Sequence, residues 1–126
     1  MRDRRNLYRA STCLAPLSAV ELTPERQLVP LNLLILNISG GGMLCQVNRE
    51  LELGTIVQVT FRVRDLQTLT VNARVVHVSP GPACDSLIGC RFVDLSHADQ
   101  DALVGFIFGL QAAALRMRWD RRGAAE

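Results

Sequence analysis

The chain has 126 residues, a formal net charge of +2, 48% hydrophobic residues and 21% charged residues. That balance suits one globular domain with a moderate core, and so small a charge does not by itself argue for a nucleic-acid partner. No stretch has the apolar length of a membrane span, and the basic N-terminus lacks the apolar segment of a secretory signal, so a cytoplasmic protein is expected.

All fourteen basic residues are arginine. Proteome-wide bias accounts for scattered ones such as Arg26, Arg49, Arg62 and Arg64, but not for clusters at the two ends. Residues 1–10 read as a flexible, exposed arm in which four of the eight residues from Arg2 to Arg9 are arginine. Leu7 and Tyr8 are its large apolar groups, suited to anchoring it. Ser11 to Leu22 reads as a first strand bent at Pro16, because proline sits in strands only at edges and bulges. A turn at Thr23-Pro24-Glu25-Arg26 follows. Strands are then expected at Val29–Asn37, Met43–Val47, Thr55–Val63, Thr68–Ser79 and Leu87–Leu95, from apolar/polar alternation and β-branched content. Within Thr68–Ser79 the expected inward set is Val71, Ala73, Val75 and one of Val76 and Val78. Pro80-Gly81-Pro82 stops that strand.

Six short strands with no helix between them argue for an all-β fold, an antiparallel barrel that removes its own edges by closing. The period then changes. Ser96 can cap a helix with Asp99 at its third position, and Leu103, Phe106, Ile107, Leu110, Ala114 and Met117 keep helical spacing to about Arg118. A second set, Val104, Phe108, Ala112 and Leu115, points elsewhere, which favours self-association or a partner protein at that face. The expected organisation is an arm at residues 1–10, a barrel at 11–95, and a C-terminal helix and tail at 96–126.

The chemistry concentrates at Leu31–Cys45. An apolar run ends at Asn37, a glycine-rich corner follows at Ser39, Gly40, Gly41 and Gly42, and a second apolar run begins at Met43. Asn37 and Ser39 are two apart, so on an extended segment their side chains leave from one face. Gly42 brings no side chain to cover that face. Read singly, the corner is an ordinary turn and the arm a solvated tail. Together, the Arg5-x-x-x-Arg9 arm with Arg4 beside it and the Asn37-x-Ser39-x-x-Gly42 corner resemble the two-part signature of the PilZ domain family. The Gly89-Cys90-Arg91-Phe92 run also resembles that family's last strand. The resemblance covers nearly the whole chain.

The resemblance implies a PilZ-like six-stranded barrel and a receptor for the bacterial second messenger cyclic di-GMP. It implies that Arg4, Arg5, Arg9, Asn37, Ser39, Gly41 and Gly42 bind this ligand. An arginine fork can meet guanine O6 and N7 bidentately, and a second can meet a phosphate or lie on a purine ring. Asn37 stands where the family more often has aspartate; it keeps an acceptor oxygen but lacks the charge. Arg74 and His77 read first as surface strand residues, with a flanking ligand contact as their functional alternative. The implied output is a conformational change read by a protein partner in motility, pilus or exopolysaccharide control.

Other classes fare less well. No nucleophile–base set or carboxylate pair stands out, so no catalysis is expected. Cys13, Cys45, Cys84 and Cys90 form no Cys-x-x-Cys pair, and neither His77 nor His97 sits at ligand spacing from them, so reduced thiols and no metal or other cofactor are expected. A barrel that binds single-stranded nucleic acid would need exposed aromatic platforms, whereas aromatic residues make up 5% of the chain and Phe61 and Phe92 lie in core-like patterns. A PilZ-like adaptor that binds only protein is the remaining alternative.

Overall fold

The computed structural model describes residues 10–64 and 67–125. Eight strands precede one helix: β1 Ala10–Leu14, β2 Ser18–Leu22, β3 Leu28–Pro30, β4 Leu33–Ile38, β5 Gly42–Val47, β6 Ile56–Arg64, β7 Gln67–Pro80, β8 Ser86–Val93 and α1 His97–Ala125. They form one antiparallel sheet in the order β1-β4-β5-β8-β7-β6-β2-β3.

The six expected chain passages are all present, and two of them are divided. The first breaks between Leu14 and Ser18, around Pro16, and the second between Pro30 and Leu33. Proline cannot donate to a ladder and fixes φ, so each passage is interrupted near its proline. The two divided passages are the arms of one long hairpin. β1 pairs with β4, and β2 pairs with β3. The hairpin also joins the rest of the sheet at both halves, β4 to β5 and β2 to β6. Both ends of the ladder, β1 and β3, therefore belong to the same hairpin, and the sheet curls around to meet it. The ladder stays open at those ends instead of forming the continuous ring expected of a barrel.

Alternation places the core inside this curl. Met43, Cys45 and Val47 of β5, Val57, Val59 and Phe61 of β6, and Ile88, Cys90 and Phe92 of β8 are buried. On β7, Leu69, Val71, Ala73 and Val75 are buried, whereas Val76 is 55% exposed. The register of β7 against β8 shifts between Val75 and His77, and such a bulge resets which residues face inward. The Cys45 thiol ionises far above its ordinary range, through its hydrogen bond with Cys90, then burial, then the electrostatic effect of Cys90. Buried thiols held neutral in this way are small apolar core groups.

The helix covers the core at β1, β6 and β7. Its start is capped as the sequence indicates, with the Asp99 N–H donating to Ser96 Oγ at 3.1 Å. Leu103 and Ile107 are fully buried, and the Phe106 ring lies on that of Phe61, 4.8 Å between centroids. Burying one such large side chain contributes roughly 1.5–3 kcal/mol. The helix continues past the expected end near Arg118 to Ala125.

Candidate functional site

The corner joins β4 to β5 through Ser39, Gly40 and Gly41. The Ser39 N–H donates to the Gly42 carbonyl at 2.8 Å, and the Phe92 N–H donates to the Gly41 carbonyl at 3.0 Å, which ties the turn to β8. The Ser39 hydroxyl works inside the turn. It donates to the Gly42 carbonyl and accepts from the Gly41 N–H, each at 3.3 Å. A hydroxyl has one donor and two acceptor sites, so one acceptor lone pair is left for a ligand. Ser39 is 8% exposed.

Gly42 is explained by backbone packing. A Cβ built on it would collide with the carbonyl oxygen of Cys90 on β8. The expectation that Gly42 leaves an open face is corrected here: the β8 main chain occupies that position. Gly41, by contrast, is exposed. The relation between Asn37 and Ser39 is also more particular than simple alternation. The β4–β5 register shifts between Ile35 and Asn37, Ile35 and Ile38 are both fully buried, and Asn37 is half-buried. The bulge turns Asn37 out of the core while Ile38 returns to it.

Arg4, Arg5 and Arg9 lie outside the described residues. Where the chain enters the sheet is nonetheless defined. Ala10 pairs with Ile38 and Ser11 with Asn37, so the residue that follows Arg9 is already beside the corner. The remaining sequence candidates lie across the sheet. Asn37 pairs with Leu44, Leu44 with Gly89, and Gly89 with His77. His77 is thus three strands from Asn37, about 14 Å at ordinary strand spacing. In the neighbouring row Gly42 pairs with Arg91, and Arg91 with Arg74. Asn37, Ser39, Gly41 and Gly42 are therefore brought together, Arg74 lies two strands from Gly42, and His77 lies furthest away.

Arg91 was not singled out by sequence reasoning, yet it stands between Gly42 and Arg74. Its outward position was legible from alternation in β8. Its neighbours were not, because the placement of β8 between β5 and β7 is set by non-local pairing. A hollow of about 460 Å³ lies at the other end of the β4–β5 hairpin, where Asn32, Gln46, Asn48 and Asp85 meet Pro16 and Leu31. It shares no residue with the corner. Among the described residues there is no group of three or more His, Cys, Asp or Glu placed to hold a metal ion, and no helix is long and apolar enough to cross a membrane.

A curled antiparallel sheet covered by a C-terminal helix, with its first strand starting beside a glycine corner, defines a small β-domain. The PilZ domain family model matches residues 3–109, and the chain belongs to the PilZ domain family. No curated protein matches the sequence. Among solved structures, the PilZ domain with c-di-GMP of YcgR from Escherichia coli is similar at a TM-score of 0.66 and 20% identity, covering 95% of this chain and 98% of that one. YcgR in complex with c-di-GMP from the same organism gives 0.64 and 21%, covering 96% and 50%. The Bacillus subtilis inhibitor of motility (MotI/DgrA) gives 0.63 and 18%, covering 90% and 53%. The chain thus spans about half the length of the latter two chains.

Proposed function

We propose that this chain is a cyclic di-GMP receptor that binds its ligand between residues 1–10 and the β4–β5 corner, catalyses no reaction, and passes binding on to a protein partner. The observation that carries the reading is the β1–β4 register. Ser11 opposite Asn37 sets the strand that follows Arg9 beside the Asn37–Ser39 corner, which supports a single site built from two motifs far apart in sequence. The named ligand of the two YcgR structures supports cyclic di-GMP as the messenger, and the name of MotI/DgrA supports an output in motility control.

The parts divide the work by chemistry. Arm arginines meet guanine O6 and N7 or a phosphate. The Asn37 amide oxygen and the remaining lone pair of Ser39 accept from the donor edge of a guanine. Gly41 lets the ligand approach the main chain closely. In this arrangement residues 11–95 are the scaffold, and residues 96–126 present a surface to a partner.

Calorimetric titration of the full chain with cyclic di-GMP and with cyclic di-AMP tests the reading. Adenine carries an amino donor where guanine has O6, and arginine cannot donate to it. Saturable binding of cyclic di-GMP, with much weaker binding of cyclic di-AMP, is expected. Equal affinity for the two removes guanine recognition by the arm. Absence of cyclic di-GMP binding removes the receptor reading in favour of a protein adaptor.

A further inference from the structure

We infer that Arg91 and Arg74 together form an anion site on the outer face of the sheet, beside the corner, that takes a phosphodiester group of the nucleotide ligand. This rests on the receptor reading above and adds to it a pair of strand residues and the group they hold.

The two arginines face each other directly across β7 and β8. Their chain neighbours Ala73, Val75, Cys90 and Phe92 are all buried, so both arginine side chains leave on the outer face, and both residues are exposed. Like charges directly opposite in an antiparallel pair are unfavourable. Nothing among the described residues offsets this pair. Arg49 has a carboxylate, with its Nη2 2.6 Å from Glu21 Oε1; no described carboxylate bonds Arg74 or Arg91. The nearby outer polar groups satisfy one another, Gln58 with Asn72 at 3.2 Å and Thr60 with Thr70 at 2.8 Å. The uncompensated pair ends beside the corner, because Arg91 lies opposite Gly42, the first residue of β5.

Two adjacent guanidiniums call for an anion with at least two acceptor oxygens. A phosphodiester offers two non-bridging oxygens and a full charge, and guanidinium forks match such groups bidentately. A guanine edge offers acceptors but no charge to relieve the repulsion. The guanine-reading task therefore stays with the arm and the corner, and the strand pair takes the backbone of the ligand.

The test is titration of the full chain with cyclic di-GMP at two salt concentrations, for the wild type, Arg91→Ala and Arg62→Ala. Arg62 is an exposed arginine of β6 that pairs with Thr68, remote from the corner. Arg91→Ala should bind about tenfold more weakly, the scale of a lost charge-assisted hydrogen bond. Its affinity should also fall less steeply with added salt than that of the wild type, since one screened charge contact is gone. The melting temperature without ligand should hold or rise, because a like-charge pair is relieved. Arg62→Ala should match the wild type. Wild-type affinity and salt slope in Arg91→Ala overturn the anion site and leave the receptor standing. Equal losses in both variants also overturn it, since diffuse charge then suffices. A wild-type chain that takes up no cyclic di-GMP overturns the receptor reading and this site with it.

Discussion

Gly42 carries two arguments that a binding assay alone cannot separate. Its lack of a side chain admits the Cys90 carbonyl, and in the proposed complex it borders the ligand. Gly42→Ala forces the β5 and β8 main chains apart, and overpacking of this kind costs roughly 1–3 kcal/mol. The melting temperature of the ligand-free protein should fall by several degrees. Arg5→Ala and Arg9→Ala should do the opposite: each leaves that melting temperature close to wild type and loses at least ~1.5 kcal/mol of cyclic di-GMP binding. Thermal melts run beside calorimetry check both halves. A Gly42→Ala protein that melts like the wild type would contradict the steric account of the corner. The Asn-x-Ser-x-x-Gly pattern was legible because it is local. The reason for Gly42 was not, because it lies on β8, almost fifty residues further along the chain. Ser39 shows the same limit: its residue type marked a turn or a ligand contact, and only the folded corner shows the hydroxyl bonding Gly41 and Gly42.

At the scale of elements, period and punctuation located every chain passage. Alternation gave β6, β7 and β8, and the Ser96–Asp99 cap gave the start of α1. What they could not give was partner choice. Pro16 announced a bend, but the division of the hairpin also depends on β2 and β4 finding β6 and β5 across the sheet. The bulge at Val75–His77 is likewise a property of the pair, not of β7 alone, and it put Val76 outside. The helix behaves as two faces. Leu103 and Ile107 are buried, Phe108 is 48% exposed, and Ala112 is exposed. We propose that this second face carries self-association of the chain or contact with a partner protein. Phe108→Glu should then leave cyclic di-GMP binding intact, since the ligand site lies elsewhere, and should turn any dimer into monomer. Sedimentation at high concentration reads this directly. A wild-type protein that stays a strict monomer with and without ligand would rule self-association out.

For the whole molecule, the proposed site is built on the long hairpin of residues 10–22 and 28–38. The hairpin supplies both ends of the ladder, starts where the arginine arm ends, and finishes at the corner. Any ligand that bridges arm and corner therefore acts across β1 and β4, and β1 in turn touches α1. That contact supports the proposed passage of binding to the helix surface. The most direct measurement of the central claim is amide hydrogen exchange on the full chain with and without saturating cyclic di-GMP. Ordering of a segment by a ligand that bonds it slows its exchange. The account predicts slowed exchange in residues 4–9 and around Ser39–Gly42, with the core strands β6 and β7 unchanged. Exchange of the arm and the corner that is identical in the two states would contradict it.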